Sequence, residues 1–251
     1  MNIFTIWRQL PPVTKNLLII NLLIYAALNL LGDRFNSTMI NHCALHYFAS
    51  QDFLPSQLFT YMFMHQGFSH LFFNMFALFM FGGIIERTLS SKRFLFYYIS
   101  CGLGAALIQL GVYYLMFSYY EGLINNPFDV EKVLSDGTSL LHQGLVYNDP
   151  TLSSLQLLIN TPTLGASGAI YGILLAFGFL YPRQPIYLMF IPIPIQARWM
   201  VLGYGIIELT QALNMNPNDN VAHLAHLGGM LFGFIMLLYW KRKGLFNNQP
   251  F

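Results

Sequence analysis

The chain has 251 residues, of which 55% are apolar, 16% are aromatic and only 9% are charged. So little charge excludes a soluble globule of this size, because it could not coat the surface, and the composition is that of a polytopic membrane protein. A formal net charge of +2 gives no reason to expect a nucleic-acid partner.

Against the roughly 20 residues that cross ~30 Å of hydrocarbon, six segments are expected to span: 15–32, 67–87, 94–118, 166–181, 199–214 and 221–240. The first follows Arg8 and Lys15 and runs into Gly32-Asp33-Arg34 without a small-x-small cleavage site. It therefore reads as a span and not as a cleaved secretion signal. The loop 33–66 carries Tyr47, Phe48, Phe53, Phe59, Tyr61 and Phe63, a composition suited to the headgroup zone, and is expected to rest on or partly in the membrane. Cys43 in this loop and Cys101 in the third span make neither a disulfide framework nor a zinc site. The second long loop, 119–164, holds most of the acids and a mildly amphipathic stretch, Val130 to Val146, expected to form a short helix. The loop from Pro182 through Pro185 to Pro192-Ile193-Pro194 is interrupted by prolines and cannot be one helix. With no repeat or low-complexity tract, residues 1–251 read as a single all-α membrane domain, a bundle of six transmembrane helices.

Six spans put both termini on one face. Arg8, Lys15, Arg87, Lys92, Arg93, Arg183, Arg198, Lys241, Arg242 and Lys243 fall on that face, and only Arg34 and Lys132 on the other. Asp33, Asp52, Glu121, Asp129, Glu131, Asp136, Asp149 and Asp219 map to the second face. The positive-inside rule then makes the N and C termini cytoplasmic. With no transit peptide recognised, the bias favours a bacterial cytoplasmic (inner) membrane.

Three apolar segments carry a serine, histidines and an asparagine where hydrocarbon should exclude them, and a fourth carries an acid. The fourth span, Ala166 to Tyr181, is short for the bilayer, so its start lies below the outer surface and the preceding Thr161-Pro162-Thr163-Leu164-Gly165 is irregular backbone at membrane depth. Such backbone is tolerated only where protein buries it or water reaches it, and a water-filled cavity over Ser167 is expected. At a helix N-terminus, Ser167 has unpaired N–H groups beside it, suited to an oxyanion. Gly165 and Gly168 allow close backbone approach, although a set of small residues also serves plain helix packing. In the sixth span His226 sits about a turn inside, and Gly229 and Gly233 form a G-x-x-x-G face. If that face packs on the glycines of the fourth span, His226 reaches Ser167 as general base, and Tyr171, four residues after Ser167, supports the imidazole. The competing reading is an interhelical hydrogen bond. His223 raises a third, a metal site with His65 or His70, for which the sequence offers no completing carboxylate. In the second span His70 and Asn74, at i and i+4, are candidate side-chain donors to an oxyanion. Glu208 in the fifth span reads as an interhelical hydrogen bond in preference to a gating group.

These motifs together resemble the rhomboid family of intramembrane serine proteases over about residues 55–240. The resemblance rests on His70-x-x-x-Asn74, Gly82-Gly83-Ile84-Ile85-Glu86-Arg87, Gly165-Ala166-Ser167-Gly168-Ala169-Ile170-Tyr171-Gly172 and Ala225-His226-Leu227-Gly228-Gly229-x-x-x-Gly233, in family order. It implies a Ser-His dyad without a third acid, with Ser167 as nucleophile, His226 as base, and His70, Asn74 and the Ser167 N–H as oxyanion hole. It further implies hydrolysis of transmembrane protein substrates within the lipid bilayer, with no metal or organic cofactor. Ser56-Gln57 stands where better-known members have Trp-Arg, and Tyr61 where some have another histidine. Asn218-Asp219 is expected to cap the sixth span rather than to complete a triad. Catalytically inactive relatives that bind client membrane proteins lack the serine or the histidine, and both are present here. A transporter would show inverted repeats and paired broken helices, which this sequence lacks.

Overall fold

The computed structural model describes residues 7–187, 194–214 and 222–246, and these are mostly helical. Helix α1 (Pro12–Leu30) opens with proline in its first turn, where no N–H partner is needed. Its next donors are met from elsewhere in the chain. The buried carboxylate of Glu86 accepts from the Val13 N–H (3.0 Å), the Thr14 N–H (2.7 Å) and the Thr14 hydroxyl (2.8 Å), and also from Ser91 Oγ (2.7 Å). Glu86 lies near the end of α4 (Phe68–Leu89), so its charge faces the positive end of the α1 dipole. The adjacent Arg87 donates to the Gln9 carbonyl at 2.7 Å. The Gly-Gly-Ile-Ile-Glu-Arg segment thus fastens the start of α1 to the end of α4. Within α4, residues Leu78–Gly82 form a π-helical turn, a local widening of the ladder.

Between them, α2 (Asp33–Cys43), α3 (Gln57–Thr60) and a 3-10 turn (Tyr61–Phe63) occupy the first long loop. The aromatic set of this loop divides between exposed and buried positions. Phe48 and Phe59 are about half exposed, but Tyr47 and Tyr61 are fully buried in the protein. The Gln57 side chain spans the loop, accepting from the His46 N–H and donating to the carbonyls of Asn41 and Asp52.

Helix α5 (Ser91–Leu123) has 33 residues, ~50 Å at 1.5 Å per residue, and so outruns the hydrocarbon. Its far end supports two further helices where one short helix was expected, α6 (Pro127–His142) and α7 (Pro150–Asn160). The second arises because Leu152, Leu155 and Ile159 recur at helical spacing behind the Asp149 cap, which accepts from the Thr151 and Leu152 N–H groups. Val130, Val133, Leu155 and Ile159 close over Tyr47 as a small second core. Polar side chains complete the joint: Asn160 Oδ1 accepts from Ser50 and Thr138, and Gln51 donates to the Leu134 and Ser135 carbonyls.

Helix α8 (Ser167–Leu180) is apolar on every side, which buries it in the middle of the bundle. It packs against α5, α4, α9 (Ala197–Asn214) and α10 (His223–Arg242). Between α8 and α9 two short antiparallel strands, β1 (Pro185–Ile186) and β2 (Ile195–Gln196), replace a helix, as the prolines require. Pro192-Ile193 and the expected Asn218-Asp219 cap lie outside the described residues.

Four of these helices, α1, α4, α5 and α10, are long and apolar enough to cross a membrane, and α8 is a shorter apolar helix. Large apolar side chains stand exposed along them and along α9, among them Leu23, Phe73, Leu115, Ile206 and Ile235. Lipid is the surrounding that makes such a surface stable.

Replacing Glu86 by alanine leaves two α1 amides and two hydroxyls without their acceptor. We expect a loss of about 2–4 kcal/mol of folding free energy, read by denaturant unfolding in detergent, with Glu86→Gln losing less. A second expectation concerns His65, whose imidazole is held at about 4 by burial, with His70 beside it acting in the same direction. This lies below the ~6.5 of an unfolded chain, so between the two values the unfolded state binds more protons. Stability that is complete above pH ~6.5 is then lost as the pH falls toward 4. The drop in Tm between pH 7 and pH 5 should shrink in His65→Gln.

Candidate active site

The approach to α8 is a non-helical segment that runs from an exposed Thr161 to a buried Gly165, and its inner backbone groups have to be paired by the protein. Leu45 and Thr163 exchange both backbone hydrogen bonds at 2.8 Å as an isolated antiparallel bridge. The Gly165 N–H donates to the Tyr61 carbonyl at 2.9 Å, and the Tyr113 hydroxyl pairs with Thr163 Oγ1 at 2.7 Å. Protein thus pairs the backbone of Thr163 and Gly165, and it buries the segment's end at Gly165 and Ala166. Gly165 has φ 121°, a left-handed value that a side chain would strain, and a Cβ there would also meet the His70 ring at 2.7 Å. The His70 imidazole thus lies directly over the turn that delivers Ser167.

Ser167 is the first residue of α8, and the Ile170 N–H is the one that bonds back to the Ala166 carbonyl, at 3.0 Å. The N–H groups of Ser167, Gly168 and Ala169 precede that bond, at the positive end of the helix. Gly165, Ala166 and Gly168 are buried while Ser167 is partly exposed. The helix has 14 residues, ~21 Å, shorter than the hydrocarbon. A separate cleft of about 290 Å³ lies at the far end of α5, lined by Glu121, Ile124, Pro127, Val130, Glu131 and Leu134.

His226 stands in the first turn of α10, and its Nε2 is 2.8 Å from Ser167 Oγ. What brings it there is the absence of side chains between the two helices. A Cβ on Gly229 would overlap the Gly168 carbonyl, and one on Gly172 would come within 3.3 Å of the Gly229 carbonyl. The two glycines of the G-x-x-x-G face divide between neighbours. Gly229 meets α8 as the sequence predicts, but Gly233 faces Tyr97 and Cys101 of α5, whose Tyr97 hydroxyl also donates to the Gly172 carbonyl at 2.8 Å. The Tyr171 ring stacks on the His226 imidazole, with centroids 4.3 Å apart and planes 9° from parallel.

Asn74 is buried, and its amide turns back to its own helix, donating to the His70 carbonyl at 2.9 Å. Its second N–H is what it has to offer a ligand at the serine. His70 is partly exposed and sits in the field of the His226 ring.

Sequence reasoning missed the importance of Glu208. The buried carboxylate enters from α9: Oε2 is 2.9 Å from His226 Nδ1 and 2.6 Å from His223 Nδ1, and Oε1 accepts from the Tyr171 hydroxyl. The expected dyad without a third acid therefore has an acid against it. The signal was the lone acid in an apolar helix, which is by default a functional candidate. Glu208, His223 and His226 also bring donor atoms within 4.8 Å of one another, the described cluster most able to hold a metal ion. His65 and His70, the partners considered from sequence, are not in that cluster, and its carboxylate is Glu208, which the sequence placed in the fifth span but did not connect to these histidines. A cation there would occupy His226 Nδ1 and so compete with the Glu208 contact.

Residues 54–243 match a family model described as the rhomboid domain. The chain is 32% identical over 194 residues, 76% of its length and 47% of the relative's, to "RHOMBOID-like protein 12, mitochondrial" of Arabidopsis thaliana. It is 27% identical over 175 residues, 69% of its length and 38% of the relative's, to "Rhomboid protein 1, mitochondrial" of Saccharomyces cerevisiae. An "Uncharacterized rhomboid protein P4H10.10, mitochondrial" of Schizosaccharomyces pombe is 34% identical over 92 residues, 34% of this chain and 23% of the relative. The chain thus spans about half or less of the length of these relatives. Their names overturn the expected bacterial cytoplasmic membrane, since all three are mitochondrial proteins. The basic-face argument could not have told these apart: it reads which face is positive, not which membrane it belongs to.

The helix contact can be tested through Gly229→Ala. The added methyl has to push α10 off the Gly168 carbonyl, and a shift near 1 Å at a reacting pair costs about 10²-fold in rate. We expect at least that loss in the rate at which a fluorophosphonate probe reacts with the protein, together with a lowered Tm.

Proposed function

This chain belongs to the rhomboid family, and on that premise we propose that it is an intramembrane serine endopeptidase that hydrolyses peptide bonds in or near transmembrane segments of membrane proteins. The observation that carries the reading is the 2.8 Å contact between Ser167 Oγ and His226 Nε2 at the N-terminus of a buried apolar helix. A serine hydroxyl hydrogen-bonded to an imidazole held by a stacked ring is an activated nucleophile in search of a carbonyl. An interhelical hydrogen bond serving packing alone does not call for the second imidazole over Gly165 or for free amides at the helix start.

The mechanism follows from these positions. As the Ser167 Oγ–C bond forms, the hydroxyl proton passes to His226 Nε2 and the carbonyl π electrons move to the oxygen. The oxyanion is received by the Ser167 N–H, His70 and the second N–H of Asn74. The proton then goes from His226 to the leaving amine as the C–N bond breaks, and water, deprotonated by His226, releases the acyl group from Ser167. Each step uses this chain's own residues, with no metal or organic cofactor. The substrate helix enters sideways between α4 and α9, whose exposed Phe72, Phe73, Phe76, Ile206 and Leu209 offer apolar flanks on either side. It must unwind there, because a helical carbonyl is already bonded within its own ladder.

On this reading α8 and α9 join the four longer helices as spans, residues 1–251 form a single domain, and both termini lie on the basic face. After the names of the relatives, we assign it to a mitochondrial membrane.

Labelling of the detergent-purified protein by a fluorophosphonate probe, beside cleavage of a test transmembrane substrate, tests the assignment. Both should be abolished in Ser167→Ala and reduced by at least about 10⁴-fold in His226→Ala, and both should survive EDTA. A folded wild type that neither labels nor cleaves would favour a catalytically inactive, client-binding rhomboid-like protein.

A further inference from the structure

The proton relay needs His226 in one tautomer and one orientation: Nδ1 must carry the hydrogen so that Nε2 can accept from Ser167. A stacked tyrosine ring fixes the plane of an imidazole but not its tautomer. Something must therefore accept a hydrogen bond from Nδ1. Glu208 Oε2 lies 2.9 Å from that atom, within the distance of a good hydrogen bond.

We propose that Glu208 is the orienting acid of this site, making the catalytic unit a Ser167–His226–Glu208 triad. The inference rests on the proteolytic reading above and deepens it. Glu208 is a positioning residue: it touches neither substrate nor the reacting atoms, and acts through His226. Three donors converge on its two oxygens, the Tyr171 hydroxyl on Oε1 and the Nδ1 atoms of His223 and His226 on Oε2. The carboxylate form accepts all three at once, and their number offsets the cost of holding a charge in this buried place. With Nδ1–H committed to Glu208, the lone pair of Nε2 faces Ser167. During attack the proton moves from Ser167 Oγ to Nε2, the imidazolium faces the carboxylate, and Glu208 keeps its charge throughout. No proton reaches it, and none is needed for balance.

Each contact has a second purpose in this arrangement. The Tyr171 ring stacks on His226 while its hydroxyl holds Glu208, so a single side chain fixes both the base and its acid. His223 anchors the carboxylate from one turn before His226, keeping Oε2 on the α10 side. Among the described residues, the groups that face the pair are Ser167 and Tyr171 of α8, Tyr204 of α9, His223 of α10 and His70 of α4. Glu208 is the anion that the described residues bring to the imidazole, and it touches the ring directly.

The test compares Glu208→Gln and Glu208→Asp with wild type in detergent, measuring kcat and KM on a transmembrane substrate, the second-order rate constant of fluorophosphonate labelling, and Tm. The rate constant reports only on molecules able to react, so partial misfolding does not mask it. Replacing the orienting acid of a serine-protease triad by its amide lowers kcat about 10⁴-fold. Because Glu208 is shared among three donors, we expect Glu208→Gln to lower kcat and the labelling rate constant by about 10²–10⁴-fold with KM changed less than about threefold. Glu208→Asp, which keeps the charge, should recover at least about tenfold. An active wild type whose Glu208→Gln variant keeps kcat and the labelling rate constant, or loses only KM or Tm, overturns the triad and leaves the protease reading intact. So does a Glu208→Asp variant no faster than Glu208→Gln. A wild type that neither labels nor cleaves overturns both.

Discussion

The contact on which the site depends is one between two backbones. Gly229 of α10 lies against the carbonyl of Gly168, one residue after the serine, and no side chain could stand between them. Side-chain packing normally keeps helix axes 8–10 Å apart, and lipid provides no hydrophobic force to press helices together. Small residues on both surfaces remove that spacing. The approach is close enough for an imidazole three residues earlier on α10 to reach a hydroxyl at the start of α8. Tyr97 adds to it by bonding the Gly172 carbonyl from α5, against which Gly233 packs.

A second constraint follows from the first. A helix that begins inside the bundle presents polar backbone where water is scarce, and each of those groups needs a partner. The structure meets this by bringing the first long loop inward. Leu45 bridges Thr163 and Tyr61 holds Gly165, so a segment expected at the membrane surface instead supports the turn that carries the serine. The loop is in turn held from outside, by α6 and α7, through Tyr47 and the contacts of Ser50 and Gln51. The second long loop, 119–164, thus has a structural place: it clamps the element that clamps the site.

Charge inside the bundle obeys the same rule of full pairing. Glu86 meets two backbone N–H groups and two hydroxyls at one end of the bundle, and Glu208 meets a hydroxyl and two imidazoles near the serine. Glu86 has four donors and Glu208 three, and such compensation is the condition under which a buried charge is tolerable. They differ in what they bond. Glu86 secures backbone and hydroxyls, whereas Glu208 secures imidazoles, one of which faces the candidate nucleophile.

The sequence by itself determined the membrane class, the approximate bounds of the helices, and the identity of Ser167, His226, Tyr171 and the glycines as a set. Each of these rests on local chemistry: apolar runs of a given length, a polar residue where hydrocarbon should exclude it, small residues four apart. Helix bounds moved by only a few residues, except where α5 extended beyond its apolar part to Leu123. Tertiary structure decided what no local pattern encodes. Glu208 and His226 are 18 residues apart and Leu45 and Thr163 are farther still, so their meeting depends on how α9 and the first loop settle around α8. Whether Gly233 met α8 or α5, and that one N–H of Asn74 bonds back to its own helix, likewise depended on the angles at which the helices pack and on rotamers chosen in the assembled interior. A lone acid in an apolar helix announces that it needs partners, and only the fold says which.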